Sequence, residues 1–296
     1  MRSLWKRFVL TLEMIKFEHS IFALPFAGVG ALLAIRDSGY NVRGLAAKLA
    51  WMVVAMVAAR SAAMSFNRLL DADIDARNPR TRSRHLPSGL LSRSFAWAFL
   101  AATTLVFLGA ARMLGQLCLA LAPLALVVLW GYSFTKRFTT FSHLVLGFAL
   151  GIAPAAAWIA LRGSLDWRIL PLTAAVMLWT AGFDIIYACQ DYEFDVAEGL
   201  FSYPRRFGIA GALAIARGFH ILMLVCLLAL VYTFGLGPIS LVGLAAIATL
   251  LAYEHSLVKP NDLSRVNAAF FTVNGYVSML FFGFWAADIL LLRSGA

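Results

Sequence analysis

Charge is what this chain has little of. Only 14% of its 296 residues are Asp, Glu, Lys or Arg, against 61% hydrophobic, and the mean hydropathy is +0.81. A chain so poor in charge has too little polar surface for a soluble globular domain of this length, and its longest polar stretches, 68–93, 190–210 and 254–267, each merely join two apolar runs. Cysteine is scarce as well. Cys118, Cys189 and Cys226 fall in or at the ends of separate apolar runs with no C-x-x-C spacing, which argues against a zinc site or a disulfide framework. His19, His85, His143, His220 and His255 include no i, i+4 pair, so a helical histidine metal site is not expected and they read as interface or packing residues. Acidic residues number 15 against 25 basic ones, a net charge of +10. The basic side chains lie in short loops between apolar runs, where anionic headgroups and topology account for them, so nucleic acid is not an expected partner.

What the chain does have is apolar runs of membrane-spanning length. Backbone polar groups cannot cross hydrocarbon unpaired, so runs of roughly 17 to 25 apolar residues are read as helices. They fall at 20–36, 45–67, 94–113, 116–134, 142–161, 168–189, 211–234, 236–253 and 268–290. The expected fold is all-α: a polytopic membrane bundle of nine transmembrane helices forming one domain over 1–296, with 68–93, 190–210 and 254–267 as cytoplasmic loops. The first run lacks the basic n-region and small-residue cleavage site of a removable signal peptide and is expected to be retained. Before it, Trp5, Phe8, Val9, Leu12 and Ile15 follow helical spacing beside Lys6, Arg7 and Lys16, which suits an N-terminal helix over 1–19 lying in the interface. Gly147 and Gly151, followed by Pro154, form a G-x-x-x-G that reads as close helix packing.

Arginine and lysine fix the orientation. Most of them fall on the side of the N-terminus, with Arg68, Arg77, Arg80, Arg82, Arg84 and Arg93 in one loop alone. This predicts an integral membrane protein with its N-terminus in the cytoplasm, in a bacterial inner membrane. Arg60 is the basic residue that stands deep in a run.

Two patterns break the apolar monotony. N-x-x-x-D-x-x-x-D at Asn67, Asp71 and Asp75 ends the second run, and Y-x-x-x-D-x-x-x-D at Tyr187, Asp191 and Asp195 ends the sixth. Residues four apart share one face of a helix, so each pattern offers oxygen ligands to a hard divalent cation at the membrane boundary. Arg77, Arg80, Arg82 and Arg84 follow the first pattern, and Arg205 and Arg206 follow the second. Carboxylates beside arginines suit a metal-bound diphosphate, because Mg2+ shares its oxygen shell between protein and phosphate. Asp73 and Glu193 sit two positions off these faces and are not expected to ligate.

Particular residues carry a family resemblance. N-R-L-L-D-A-D-I-D-A-R-N-P-R-T (67–81) with L-P-S-G (86–89), and D-I-I-Y-A-C-Q-D-Y-E-F-D (184–195), resemble the two signatures of the UbiA family of intramembrane aromatic prenyltransferases. Y-S-F-T-K-R (132–137) and K-F-E-H-S-I-F-A-L-P (16–25) are similar to its 4-hydroxybenzoate polyprenyltransferases and their menaquinone-pathway relatives. The resemblance implies nine helices around a central cavity, Mg2+ dependence, a polyprenyl diphosphate donor and an aromatic acid acceptor, within the lipid bilayer; nothing in the sequence calls for an obligate protein partner. It implies that Asn67, Asp71 and Asp75 hold the diphosphate through one magnesium ion and Asp191 and Asp195 through a second, with Asp71 and Asp191 essential to catalysis. Tyr187 is then expected to hydrogen-bond near the diphosphate, and Lys136, Arg137 and Lys16 to contact its oxygens, unless they are ordinary positive-inside anchors.

Arg60, two turns before Asn67, is expected to face the diphosphate or an acceptor carboxylate, against the alternative of a structural ion pair. Asp184 orients a cation or the acceptor, or else pairs with Arg60. The implied reaction is transfer of a polyprenyl group to 4-hydroxybenzoate in ubiquinone-type biosynthesis. The same motifs are shared with relatives that prenylate 1,4-dihydroxy-6-naphthoate for menaquinone. A transporter is the rival from another class, but no run carries the succession of charges that a conducting path needs. The D-G-x-x-A-R pattern of phosphoalcohol transferases is absent.

Overall fold

The computed structural model describes residues 9–15 and 20–291. Among these the chain is helical, and its one extended pairing is an isolated antiparallel bridge between Lys259 and Asp262. The helices are numbered α1 (Ser20–Asp37), α2 (Leu45–Arg77), α3 (Arg93–Leu114), α4 (Gln116–Thr135), α5 (Ser142–Arg162), α6 (Leu170–Ala188), α7 (Tyr192–Glu198), α8 (Tyr203–Phe234), α9 (Pro238–Leu257) and α10 (Asn274–Leu291). A 3-10 turn at Cys189–Asp191 separates α6 from α7, and a π-helical turn at Ala268–Val273 leads into α10. Among the described residues eight helical stretches are long and apolar enough to cross a membrane. The 18-residue α1 stands where the first span is expected, and every run read from the sequence finds a helix.

Boundaries differ where polar residues continue a helix. α2 is 33 residues long, about 50 Å at 1.5 Å per residue and so longer than the roughly 30 Å of hydrocarbon. It carries the first motif on its last turns, and the loop expected from residue 68 begins only after Arg77. α8 likewise starts at Tyr203 rather than 211. Ser202 accepts from Arg205 N as its N-cap, Pro204 occupies its first turn, and Gly208, at φ 69°, kinks it. The expected loop 190–210 therefore contains α7 and the start of α8. Of the interfacial helix expected over 1–19, residues 1–8 and 16–19, Lys16 among them, lie outside the described residues; 9–14 are helical.

Contacts gather the chain into two compact units. In the first, Ala46–Phe134 with the described N-terminal residues, Met14 and Ile15 are buried with Ala62, Leu69, Ala72, Leu91 and Leu100. Arg68 Nε donates to Met14 O at 3.3 Å. Leu105 and Val127 are 69% and 66% exposed on α3 and α4, as expected of helix faces that meet lipid rather than protein.

The second unit comprises Phe22–Leu45 and the chain from Thr135 onward. Its core packs Trp179 of α6 against Phe26 of α1, with tilted rings whose centroids are 4.8 Å apart, and edge-to-face against Phe183 at 5.0 Å. Gly147 and Gly151 let α5 lie directly on α6. A Cβ at either position would sit 2.2 Å from Met177 O or 2.7 Å from Thr173 O, so the G-x-x-x-G is a packing device. Asp288 of α10 closes the N-terminus of α9, accepting from Gly237 N at 2.7 Å and Ser240 Oγ at 2.6 Å. Asp37 pairs with Arg162 at 3.0 Å and Arg168 at 2.9 Å. Hydrogen bonds from Arg168 also hold the neighbouring Asp166 carboxyl below its ordinary value.

Candidate active site

The first motif lies on continuous helix, and its side chains are fixed by their neighbours. Asp71 and Asp75 are 2% and 4% exposed, whereas Asp73, off that face, is exposed as the spacing predicts. Asn67 Nδ2 donates to Asp71 Oδ2 at 3.1 Å and to Ser133 Oγ at 3.4 Å, which ties the motif to the end of α4. Arg84 Nη1 lies 2.8 Å from both oxygens of Asp75, and Thr81 Oγ1 donates to Asp75 O. The turn after α2 thus folds back over the motif. Arg93 pairs with the exposed Asp73.

Two cations sit deeper. Arg68 is buried within the fields of Arg84, Asp75, Tyr132 and Asp71. Arg60 is half-buried, its Nε shut off from solvent and without a hydrogen-bond partner, and Tyr132 acts on its charge. It forms no ion pair with a described residue. Asp184 pairs with His143 of α5.

The second motif has a different backbone. Tyr187 lies in the last turn of α6, Asp191 closes the 3-10 turn, and Asp195 lies in the first turn of α7, so its three residues do not share one uninterrupted helix. Asp191 and Asp195 are half-buried. Asp195 is hydrogen-bonded by Ser202 and feels the charges of Asp191, Lys136 and His143. Phe201 N donates to Lys136 O at 2.7 Å, and Arg205 Nη1 to Leu200 O at 2.8 Å, which folds the segment after α7 against the chain leaving α4. Arg137, next in sequence, is half-buried in the same turn. The Tyr187 ring packs 4.3 Å from that of Phe270.

One turn deeper on α6, Asp184 Oδ2 accepts from His143 Nδ1 of α5 at 2.6 Å. A carboxylate oxygen accepts here, so Nδ1 carries the hydrogen, and Nε2 is buried without a hydrogen-bond partner. Sequence reasoning placed His143 among packing residues and missed its role, along with Arg68, Arg84, Tyr132 and Ser202. Arg68 and Arg84, in the basic run at the motif, and Tyr132, at the head of Y-S-F-T-K-R, carried a signal.

Each motif thus presents oxygen donors only: a carboxamide with two carboxylates in the first, two carboxylates in the second. Among the described residues no three His, Cys, Asp or Glu side chains form a metal cluster. The donor sets fit Mg2+ all the same, since this ion takes one or two carboxylates and completes its shell with phosphate oxygens and water.

The chain is similar to known proteins over most of its length. A 4-hydroxybenzoate octaprenyltransferase of Methylococcus capsulatus is 31% identical over 281 residues, 93% of each chain. The apo structure of a UbiA homologue from Aeropyrum pernix K1 is 35% identical and has a TM-score of 0.81, covering 93% of this chain and 98% of that one. A UbiA homologue from Archaeoglobus fulgidus bound to DMAPP and Mg2+ shares the fold at 18% identity, with a TM-score of 0.73 over 95% of this chain and 99% of that one. The chain is an integral membrane protein, and with the UbiA prenyltransferase model matching residues 23–286 it belongs to the UbiA prenyltransferase family.

Proposed function

We propose that this protein transfers a polyprenyl group from polyprenyl diphosphate to 4-hydroxybenzoate, with Mg2+ as cofactor, in ubiquinone-type quinone biosynthesis. The observation that carries this reading is the similarity over 93% of both chains to a 4-hydroxybenzoate octaprenyltransferase. Binding of DMAPP and Mg2+ by a homologue of the same fold supports the donor class and the metal. The whole chain acts as one membrane domain in a bacterial inner membrane, with its active site towards the cytoplasm, where the arginine-rich loops belong.

In this reading Asn67, Asp71 and Asp75 would hold one magnesium ion and Asp191 and Asp195 a second, which together would bind the diphosphate. The metal, when bound, neutralises the charge that grows on the diphosphate as the allylic C–O bond breaks. Asn67 holds Asp71 and Arg84 holds Asp75 by hydrogen bonds, which fix the two carboxylates before the diphosphate arrives. Lys136, Arg137, Lys16 and Tyr187 bind diphosphate oxygens. Arg60, without an acidic partner among the described residues, receives the acceptor carboxylate. It thereby presents the ring carbon beside the hydroxyl, which bonds to the allylic carbon while the C–O electron pair leaves with diphosphate and the ring proton passes to a carboxylate of the site. His143 fixes Asp184 on the acceptor side. Apolar helix walls keep water from the allylic cation.

The test is to incubate membranes containing the protein with Mg2+, a prenyl diphosphate and either 4-hydroxybenzoate or 1,4-dihydroxy-6-naphthoate, and to identify the product by mass spectrometry. Prenylated 4-hydroxybenzoate is expected. A product with the naphthoate alone would move the protein to the menaquinone branch, and solute flux through proteoliposomes without any product would make it a transporter.

A further inference from the structure

A polar cluster lies buried in the second unit, outside both aspartate motifs. Glu254 of α9 and Asn274 at the start of α10 are each 0% exposed, and His220 of α8 is 2% exposed. Asn274 uses both ends of its carboxamide. Oδ1 accepts from Trp179 Nε1 at 2.6 Å, while Nδ2 faces Glu254 Oε1 at 2.7 Å and the carbonyls of Ala269 at 3.1 Å and Phe270 at 3.2 Å. With an indole donor on one side and only acceptors on the other, the amide has a single orientation. Behind it, His220 Nε2 donates to Trp179 O at 3.3 Å, which leaves its Nδ1 to accept from His255 Nε2 at 3.0 Å and to face Glu254 Oε2 at 3.5 Å. Gly182 makes room for that imidazole, since a Cβ there would lie 2.3 Å from His220 Nε2.

An ionisable side chain at this depth is costly, and packing alone would favour an apolar residue of the same volume. Its use is visible in the backbone it secures. The carbonyls of Ala269 and Phe270 belong to the π-helical turn 268–273, a rare geometry that widens the helix and recurs at functional sites. Asn274 caps the wide turn from inside, and Glu254 anchors Asn274. The turn sets the Phe270 ring 4.3 Å from that of Tyr187 and 5.2 Å from that of Phe183, with Phe271 edge-on to Tyr187 at 6.2 Å. Tyr187, Phe270 and Phe271 remain half-buried while Glu254 and Asn274 are sealed. An aromatic face of this kind stands one turn before Asp191, and it suits an isoprenoid chain with an allylic carbon that becomes cationic.

We infer that Glu254 and Asn274 are positioning residues for the prenyl donor. They hold the π turn so that Phe270 and Phe271 complete, with Tyr187, the wall against which the first isoprene units lie. The inference rests on the prenyltransferase reading for its ligand class and concerns the hydrocarbon part of the donor, not its diphosphate.

The experiment compares Mg2+-dependent binding of geranyl diphosphate and of inorganic diphosphate to the purified full chain by titration calorimetry, with thermal melts alongside. Phe270→Ala and Asn274→Leu are expected to raise the Kd for geranyl diphosphate about tenfold while leaving that for inorganic diphosphate unchanged. Glu254→Leu, which removes the acceptor of Asn274, is expected to weaken geranyl diphosphate likewise, and Glu254→Gln, whose amide oxygen still accepts from Asn274, to restore it. Unchanged geranyl diphosphate affinity in Phe270→Ala would overturn the inference, as would equal weakening of both ligands in a folded Asn274→Leu. If Asn274→Leu does not fold, Phe270→Ala decides. A wild type that binds geranyl diphosphate yet prenylates no aromatic acceptor would sink the proposed reaction and leave this binding test intact.

Discussion

In the first motif the backbone runs as unbroken helix from Leu45 to Arg77, and its carboxylates are clamped from outside by Asn67, Arg84 and Thr81. In the second, a 3-10 turn interrupts the helix between Tyr187 and Asp195, and the restraint comes from Ser202, from the backbone bond of Phe201 to Lys136, and from the His143–Asp184 pair one turn deeper. Spacing in sequence is shared; backbone and partners are not. The first motif is a rigid rod with a folded-back arginine, and the second is a bend held by a neighbouring turn. A pattern of carboxylates therefore specifies what is presented, while the residues around it specify how firmly.

The largest effect that could break this comparison treats both motifs alike. Chelation of Mg2+ is expected to abolish turnover, by about 10^3-fold or more, with recovery when Mg2+ but not Na+ is restored. Prenyl transfer in the presence of EDTA would show that neither motif works through a divalent ion.

The next effects separate the motifs. Arg84→Ala leaves the buried Asp75 carboxylate without its ion pair and is expected to cost about 1 to 3 kcal/mol of stability. A lower melting temperature and about tenfold higher Mg2+ requirement should follow, measured by thermal shift and by a metal titration of rate. A smaller change belongs to the second motif. His143→Leu, which removes the donor, frees Asp184 and is expected to raise KM for the aromatic acceptor about fivefold, with KM for the prenyl diphosphate unchanged; the hydrogen bond lost is worth about 1 kcal/mol. Equal shifts in both constants would remove Asp184 from the acceptor side. At the bottom of the scale stands the exposed Asp73–Arg93 pair. Arg93→Ala should change stability by less than about 0.5 kcal/mol and leave the rate as it was.

Much of this was legible in the sequence, because membrane helices are written in unbroken apolar runs. The runs 142–161 and 168–189 differ from α5 and α6 by at most two residues at either end. Both aspartate motifs stood out against that background, as did Arg60. Hydropathy is blind, however, to a helix that continues through charge. It stopped the second span at residue 67, although the i, i+4 spacing of Asn67, Asp71 and Asp75 already implied helix as far as Arg77. Ser202 followed by Pro204 was an available start signal for α8 and was passed over in favour of the apolar residues beyond the Gly208 kink.

Other features had no local signal. His143 meets Asp184 across 41 positions and His220 meets His255 across 35, so no helical spacing betrays either pair. The π turn is likewise held by tertiary bonds from Glu254 and Trp179 through Asn274, not by its own residues.

The most direct test of the account is turnover of Asp71→Asn and Asp191→Asn, measured side by side at saturating Mg2+ and prenyl diphosphate on protein whose melting temperature matches the wild type. Loss of prenyl transfer by about 10^3-fold in each variant is predicted, because an amide oxygen offers the metal no charge. Wild-type turnover in either folded variant would contradict the claim that both motifs carry the reaction.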